Sequence, residues 1–131
     1  PNGGSLGALV ESGRTPSAQV RLEESGTRGA LRADAALALH HAAREALTNA
    51  VRHTAPPVDI EMRLEWHRDA VHMTVRDDGG SGAALSDLGS GIGLIGVSER
   101  VRLAGGALTA QRRDPRGWML RVELPVERTL A

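Results

Sequence analysis

The stretch between Val58 and Val75 places the strongest constraint on what this chain can fold into. Apolar residues occupy every second position from Val58 to Trp66, and a second run of the same period follows from Val71 to Val75 after a short polar turn. A period of two places alternate side chains on opposite faces of a strand. The stretch therefore predicts a β-hairpin with one buried face.

The segment before the hairpin predicts a long helix to cover that face. Asp34 is placed to cap a helix that runs to about Thr54, where two prolines end it. At 100° per residue, one arc of this helix is apolar and is expected to lie in the core, with a polar stripe beside it. The arc comprises Leu39, Ala43, Ala46, Leu47, Ala50 and Val51, and the stripe comprises Glu45, Asn49, Arg52 and His53.

Shorter patterns predict the remaining elements. Before the long helix, the patterns predict a helix from Leu6 to about Gly13 and a strand from Ala18 to Leu22. After the hairpin they predict a mobile Gly/Ser-rich loop up to Gly91 and a helix through Leu94 and Leu103 that ends at Gly105-Gly106. The last two elements are strands near Ala107–Gln111 and Trp118–Leu124, joined by a turn at Asp114–Gly117. This order predicts one α+β domain over residues 1–131. We expect a two-layer sandwich whose mixed, mostly antiparallel sheet is covered on one face by helices.

The composition excludes several classes of function. The 16 basic residues balance 16 acidic ones, and Trp66 and Trp118 are the only large aromatic side chains, so nucleic acid is not an expected partner. With no cysteine, disulfides, thiolate metal sites and cysteine nucleophiles are excluded. Every basic residue is arginine, so a bound phosphate must be held by backbone amides, arginine or a metal rather than by a P-loop lysine.

The sequence carries no targeting signal that we recognise. No run approaches the ~18–20 apolar residues of a membrane helix. The opening Pro1-Asn2-Gly3-Gly4 lacks the basic and then apolar character of a signal peptide. We expect a soluble, cytoplasmic domain.

Glu45 and Asn49 lie one turn apart on the polar stripe of the long helix. Such a pair is ordinary on a solvated helix face. It also offers a carboxylate and an amide oxygen, which are hard ligands that Mg²⁺ accepts while keeping its waters and a substrate phosphate. In that second interpretation Arg52 and His53 lie close to a bound nucleotide.

Asp77-Asp78-Gly79 follows the second strand of the hairpin. Aspartate and glycine are common turn residues, which is one interpretation of the triplet. The other is that one carboxylate, buried at the strand end, accepts a hydrogen bond from an exocyclic amine such as that of adenine.

The run from Gly89 to Gly96 opens a helix and so points backbone amides toward a possible anion. It contains GxGxxG between Gly91 and Gly96, but the dinucleotide-binding motif requires a strand immediately before it. A long Gly/Ser loop precedes it here, which disfavours a dinucleotide fold. A glycine hinge that feeds a helix is the simpler alternative.

Together and in this order, the three constellations resemble the ATP-binding domain of the gyrase, heat-shock chaperone and histidine kinase superfamily, the Bergerat-type fold. REALTNAVRHT (44–54), VRDDG (75–79) and GSGIGLIGVSERVRLAGG (89–106) are similar to the N-box, G1 box and G2 box of bacterial sensor histidine kinases that signal to helix-turn-helix response regulators. The resemblance spans Leu6 to about Pro125. It implies phosphoryl transfer from ATP and Mg²⁺.

The resemblance also implies roles for individual residues. Asn49 is the implied Mg²⁺ ligand, and Glu45 stands where ATP-hydrolysing relatives keep a water-activating carboxylate. Asp77 is implied to accept a hydrogen bond from the adenine amine, and Gly79 to let the base approach. The other implied nucleotide contacts are Arg52 toward the phosphates, His53 against adenine, and Gly89, Gly91, Gly93 and Leu94 of the G2 box, under a lid formed by residues 80–90.

Partners follow from the same resemblance. Sensor kinases phosphorylate a histidine on a dimerisation domain and then a response regulator. His40 and His41 belong to the N-box helix, so neither is expected to be that histidine. We expect a catalytic domain separated from its dimerisation, phosphoacceptor and sensor domains, monomeric alone and homodimeric in the full-length kinase.

Two other functions stay open at this point. An anti-sigma-factor serine kinase has a similar N-box and a similar length, although Ser98–Gln111 and the opening helix and strand favour the sensor kinase. A module that keeps the fold without the chemistry is the third possibility, since Ser81 stands where the G1 box usually has its second glycine. The retained N-box and G1-box residues favour an active site.

Overall fold

The computed structural model of the chain describes residues 2–13, 18–52, 57–79, 91–113 and 117–127. Its elements are α1 (Asn2–Gly13), β1 (Ala18–Ser25), α2 (Ala33–Arg52), β2 (Val58–Trp66), β3 (Ala70–Asp77), α3 (Gly91–Leu103), β4 (Ala107–Arg112) and β5 (Trp118–Pro125). The sheet has the strand order β1-β2-β3-β5-β4. Strands β1 and β2 are parallel, joined through α2, and the other neighbours are antiparallel.

One face of the sheet carries the core. All five apolar residues of β2 are buried, and β3 and β5 alternate in the same way. Helix α2 packs on these three central strands, while α1 packs on β1 and α3 on β4. The largest fully buried side chains include Leu39, Ile60, Met62, Leu64, Met73 and Leu124. The predicted α+β sandwich with helices on one face is confirmed.

The other face of the sheet is polar and its charges are paired across strands. Glu61 of β2 lies between Arg21 of β1 and Arg76 of β3 in the strand register. Arg76 donates to the Glu61 carboxylate, and this hydrogen bond holds the pKa of Glu61 below its usual value. Cross-strand pairs of this kind suit a solvated sheet face, so the helices need to cover only one side.

The predicted element order is confirmed, with longer strands than the pattern indicates. The hairpin of β2 and β3 is antiparallel, as its period of two predicts, and β5 ends at Pro125. The predicted loop over residues 80–90, the end of the long helix beyond Arg52 and most of the turn before Gly117 lie outside the described residues.

Two local predictions about α2 are wrong. Asp34 does not precede the helix, because Ala36 N already donates to Arg32 O at 2.9 Å and Asp34 lies in the first turn. Its carboxylate instead accepts from Ala35 N at 2.9 Å, where an acid still favours the helix dipole. Val51 is 48% exposed, because it lies about 40° beyond Leu47 on the helix and so outside the buried arc.

Candidate functional site

The end of α2 and the end of β3 lie at the same end of the sandwich. Asp77, the last residue of β3, is paired with Ile60 near the start of β2. Helix α2 ends at Arg52 and the chain enters β2 at Val58. The polar stripe of α2 therefore runs toward the end of the sheet at which β3 finishes with Asp77.

Helix α3 starts toward that end as well. Its C-terminal end leads into β4, whose first residue Ala107 is paired with Glu123, and the neighbouring Leu124 is paired with Val71 at the far end of β3. Because α3 ends far from Asp77 and packs along α2, its first turn, which begins at Gly91, points toward the Asp77 end. The fold thus brings the described parts of the three sequence motifs to one end of the molecule.

Asp77 is the buried charged residue of this end, with only 5% of its surface exposed. Its Oδ1 accepts hydrogen bonds from Gly79 N at 2.9 Å and from Trp118 N at 3.3 Å. Burial raises the pKa of Asp77, and the two backbone hydrogen bonds only partly oppose that rise. Asp77 therefore closes a turn with Gly79, as the first interpretation predicts, and is buried at the strand end, as the second requires; the hydrogen bond to an amine stays a prediction.

Both hydrogen bonds to the Asp77 carboxylate fall on the same oxygen. Within the described ranges, nothing donates to Oδ2. A carboxylate that is ionised only accepts hydrogen bonds, so Oδ2 can take one from an amino group. Gly79 lies beside it with φ of +81°, a conformation that favours glycine and leaves the approach without a side chain.

Asp78 has a different role from its neighbour. Its Oδ1 accepts from Asp59 N at 3.0 Å, and its own N–H donates to Asp59 O at 3.1 Å. These bonds fasten the end of β3 to the start of β2. The structure therefore assigns the Asp78 carboxylate to the junction of β3 and β2, and Asp77 is the buried carboxylate at this strand end.

Asn49 holds a buried oxygen that no described residue satisfies. Its Oδ1 is buried and, among the described residues, is the one buried side-chain nitrogen or oxygen atom without a hydrogen-bond partner. Asn49 shares its side of α2 with the buried Ala42 and Ala46, seven and three residues earlier. Leaving such an acceptor unpaired costs about 1–3 kcal/mol, so a ligand is the natural explanation.

The Asn49 oxygen fits a hard cation. Mg²⁺ takes oxygen ligands, keeps several waters and is commonly completed by substrate phosphates. Glu45, one turn earlier, is half-buried and supplies a second oxygen donor on the same stripe. The described residues hold no cluster of three or more His, Cys, Asp or Glu side chains suited to a metal, so such an ion would depend on water and phosphate for its other ligands.

The remaining predicted site residues are described only in part. Arg52 is the last residue of α2, and Gly91 and Gly93 lie in the first turn of α3. Leu94, in the same turn, is half-buried and packs against the core. His53, Gly89 and the expected lid over residues 80–90 lie outside the described residues.

The sequence patterns do not predict that the β4–β5 turn contacts Asp77. Arg113 Nη1 donates to Asp77 O at 2.7 Å, Trp118 N donates to its carboxylate, and a Cβ on Gly117 would lie 2.3 Å from Asp77 O. The only signal in the sequence was the glycine of the turn, since nothing local indicates that this turn meets the end of β3.

The comparison with known families agrees with this arrangement. Residues 34–128 match the family described as Histidine kinase-, DNA gyrase B-, and HSP90-like ATPase. This range contains α2, the end of β3 and α3. The chain therefore belongs to this ATPase family, which is the family that its three motifs resemble.

A curated relative narrows the class. The sensor histidine kinase YxjM of Bacillus subtilis (strain 168) is 34% identical over 86 residues, which amount to 66% of this chain and 20% of that protein. The chain thus spans about a fifth of the length of this relative. It is a histidine kinase-like ATPase domain of the type found in sensor kinases.

Solved structures share the fold at low sequence identity. The mycobacterial sensor histidine kinase MprB has a TM-score of 0.65 and 21% identity, covering 98% of this chain and 95% of that one. The nucleotide-free catalytic domain of histidine kinase ThkA has a TM-score of 0.71 and 17% identity over 95% and 90% of the two chains. Acinetobacter baumannii AdeS has a TM-score of 0.73 and 12% identity over 96% and 65%. These likenesses concern the fold.

No helix in the described ranges combines the length and the apolar character needed to cross a bilayer.

Proposed function

We propose that this chain binds ATP with Mg²⁺ and donates the γ-phosphoryl group to a histidine on the dimerisation domain of a sensor kinase. The observation that carries the proposal is that two polar groups with unused hydrogen-bonding capacity lie at one end of an ATPase-family fold. These are the buried Asp77 carboxylate, whose Oδ2 receives no hydrogen bond from a described residue, and Asn49 Oδ1, which has no partner in the same part of the chain. Each lacks a partner that a different part of Mg·ATP would supply.

The base is recognised by Asp77 in this proposal. The open Oδ2 accepts a hydrogen bond from the exocyclic amine of adenine, and Gly79 leaves room for the ring. Because the carboxylate is buried, the hydrogen bond forms away from competing water and is worth more than at the surface. A base with a carbonyl oxygen in place of the amine would meet the carboxylate acceptor to acceptor.

The phosphates are held without lysine. Asn49 would hold Mg²⁺ through Oδ1, and the ion would supply charge neutralisation during phosphoryl transfer. The first turn of α3 offers backbone amides and the positive end of the helix dipole, through Gly91 and Gly93. Arg52, the last residue of α2, is predicted from the N-box resemblance to face the phosphates, and Glu45 is the carboxylate that would orient or deprotonate the attacking group.

The phosphoacceptor belongs to another domain in this proposal. Phosphoryl transfer breaks the bond between the γ-phosphorus and the oxygen that leaves with ADP and forms a bond to an unprotonated imidazole nitrogen. His41 is half-buried within α2, close to Arg100 of α3, and so is poorly placed to be that imidazole. The dimerisation domain of the same kinase would present it, and a response regulator would then receive the phosphoryl group.

Titration calorimetry tests the binding step. We expect a non-hydrolysable ATP analogue to bind with micromolar-range Kd, more tightly with Mg²⁺ than without it. Asp77→Asn should weaken binding by about 10- to 100-fold, the equivalent of a hydrogen bond to a charged group. Asp59→Asn is the matched control, because Asp59 is an exposed carboxylate on the strand next to β3.

Two results would contradict the proposal. One is the absence of binding by protein whose circular dichroism shows it folded, which would favour a module that keeps the fold without nucleotide. The other is an equal Kd for Asp77→Asn and wild type. The phosphoacceptor is identified in a full-length kinase by the acid stability of the phosphorylated product. Phosphohistidine is acid-labile, whereas the phosphoserine that an anti-sigma-factor serine kinase forms is acid-stable. Asn49→Ala should abolish phosphorylation of the acceptor.

A further inference from the structure

The turn that joins β4 to β5 meets the end of β3 at Asp77. The ladder between β3 and β5 ends at the pair Arg76–Met119, one residue before Asp77. On the β5 side the main chain of Asp77 is therefore outside the ladder. Groups from the β4–β5 turn contact it instead.

Arg113 takes the place of the missing ladder bond. Its Nη1 donates to the main-chain oxygen of Asp77 at 2.7 Å. Its own N–H donates to Gly117 O at 2.8 Å, which closes the β4–β5 hairpin. Arg113 is half-buried, so one end of this residue is fixed by the turn and the other holds the carbonyl of Asp77.

Gly117 lets the turn come this close. An ideal Cβ at this position would lie 2.3 Å from Asp77 O and 3.2 Å from Gly79 N, and its φ is +99°. Real side chains do not tolerate such a contact or readily adopt such a φ. The next residue, Trp118, donates its N–H to Asp77 Oδ1 at 3.3 Å.

Asp77 is thus fixed from two directions. The main-chain oxygen is held by Arg113, and Oδ1 is held by the N–H groups of Gly79 and Trp118. Among the residues that the structure describes, none donates to Oδ2, so this oxygen is the acceptor available to a base. The positive charge of Arg113 also lowers the pKa of Asp77 and so opposes the effect of burial, which favours the ionised form that only accepts hydrogen bonds.

We propose that Arg113 is a positioning residue that orients Asp77 and thereby sets the preference of the site for a base with an amino group over one with a carbonyl at the same place. This inference rests on the proposed nucleotide function. Arg113 does not need to touch the nucleotide, because it acts through the main chain of Asp77. Its removal should therefore reduce the discrimination between bases rather than nucleotide binding in general.

The test measures Kd for ADP and for inosine diphosphate, which carries a carbonyl where adenine has its amine, on wild type and Arg113→Ala. In wild type we expect ADP to bind about 10- to 100-fold more tightly, the range of one hydrogen bond to a charged group. In Arg113→Ala this ratio should fall at least threefold, through weaker ADP binding, while Kd for inosine diphosphate changes little. Arg121→Ala is the control, because Arg121 is an exposed arginine of β5 and should keep the wild-type ratio.

Two further variants separate positioning from folding. Arg113→Lys keeps a positively charged donor and should restore most of the ratio, whereas Arg113→Gln keeps a donor without the charge and should restore less. If circular dichroism shows that Arg113→Ala is unfolded, the lysine and glutamine variants are compared with wild type. A ratio of the two Kd values that equals the wild-type ratio in both variants overturns the positioning role.

The outcomes are distinguishable. An unchanged ratio in folded Arg113→Ala overturns the positioning role while the nucleotide function stands. Equal weakening of both nucleotides means that Arg113 supports the fold and not the base contact, which also overturns it. If wild type binds neither nucleotide, the proposed function fails and this inference fails with it.

Discussion

The two ends of strand β3 satisfy their buried polar groups differently. At its start, the indole Nε1 of buried Trp66 donates to Glu24 at 2.7 Å, and Glu24 is paired in turn with Arg28 through two hydrogen bonds of 2.7 Å. At its end, no described residue donates to Asp77 Oδ2, and Asn49 Oδ1 has no partner among the described residues. The polar groups of the first end are thus paired within the described protein, and those of the second are paired only in part.

The pKa values of Glu24 and Asp77, the carboxylates at the two ends, are shifted in opposite directions. The hydrogen bond from Arg28 lowers the pKa of Glu24, with the indole of Trp66 acting in the same direction. Burial raises the pKa of Asp77. A sequence that is consistent at every level would avoid a buried, incompletely paired carboxylate, and such departures are expected at functional sites.

A cavity in the core should lower the stability of the protein without weakening nucleotide binding. Leu64 is 1% exposed, so Leu64→Ala should lower the free energy of unfolding by about 2–5 kcal/mol. At a temperature where the variant is folded, its nucleotide Kd should stay at the wild-type value. Urea unfolding and calorimetry measure the two quantities.

Leu103→Ala is the control for that experiment, because Leu103 is 69% exposed and its loss should change stability by no more than about 0.5 kcal/mol. A folded Leu64→Ala protein with much weaker nucleotide binding would show that the core and the site are not separable.

Removing one polar group at each end should have opposite effects on stability. Trp66→Phe deletes a satisfied donor and should lower the free energy of unfolding by about 0.5–1.5 kcal/mol. Asn49→Ala deletes an unsatisfied acceptor and puts a better helix former in α2, so it should leave the stability of the nucleotide-free protein unchanged or raise it. Thermal unfolding without nucleotide measures both, and a destabilised Asn49→Ala would mean that Asn49 is a structural residue.

The sequence predicted those features that depend on local periodicity. The period of two over Val58–Trp66 predicted the hairpin and its buried face, and the apolar arc predicted which side of α2 packs. The same local rules mispredicted the burial of Val51, because the apolar arc of a helix has no sharp boundary. They also placed the start of α2 slightly too late, at Asp34, because helix ends vary by a residue or two.

The features that local patterns could not predict are contacts between distant segments. Arg113 meets Asp77 from 36 positions away, and this contact depends on β5 lying between β3 and β4 in the sheet. Strand order is set by how the whole core packs, not by any one segment. The burial of Asn49 Oδ1 likewise depends on the neighbours that surround α2, whereas the motif alone showed only that an asparagine lies on its stripe.

The acidity of Asp77 predicts how stability changes with pH. Because the folded pKa lies above the unfolded value of about 4, the favourable contribution of Asp77 is fully present below the unfolded pKa and is lost as pH rises through the folded pKa. Asp77→Asn removes this cost. Without nucleotide the variant should therefore melt a few degrees above wild type at pH 7, and the difference should shrink as the pH is lowered toward 4.

Asp59→Asn again serves as the control, since Asp59 is exposed and its loss should leave the Tm at pH 7 close to that of wild type. If Asp77→Asn melts below wild type at pH 7, the carboxylate stabilises this end of β3, and the contrast between the two ends is lost.

His41 lies between the two ends and should give the smallest effect. Burial lowers its pKa, and the nearby positive charges of Arg100, Arg44 and, when protonated, His40 add to the shift. Its contribution to stability is thus present above the unfolded pKa of about 6.5 and is lost as pH falls through the folded pKa. Between pH 7.5 and pH 5.5 the Tm of wild type should fall slightly more than that of His41→Gln. An equal fall for His41→Gln and wild type would place the acid sensitivity elsewhere.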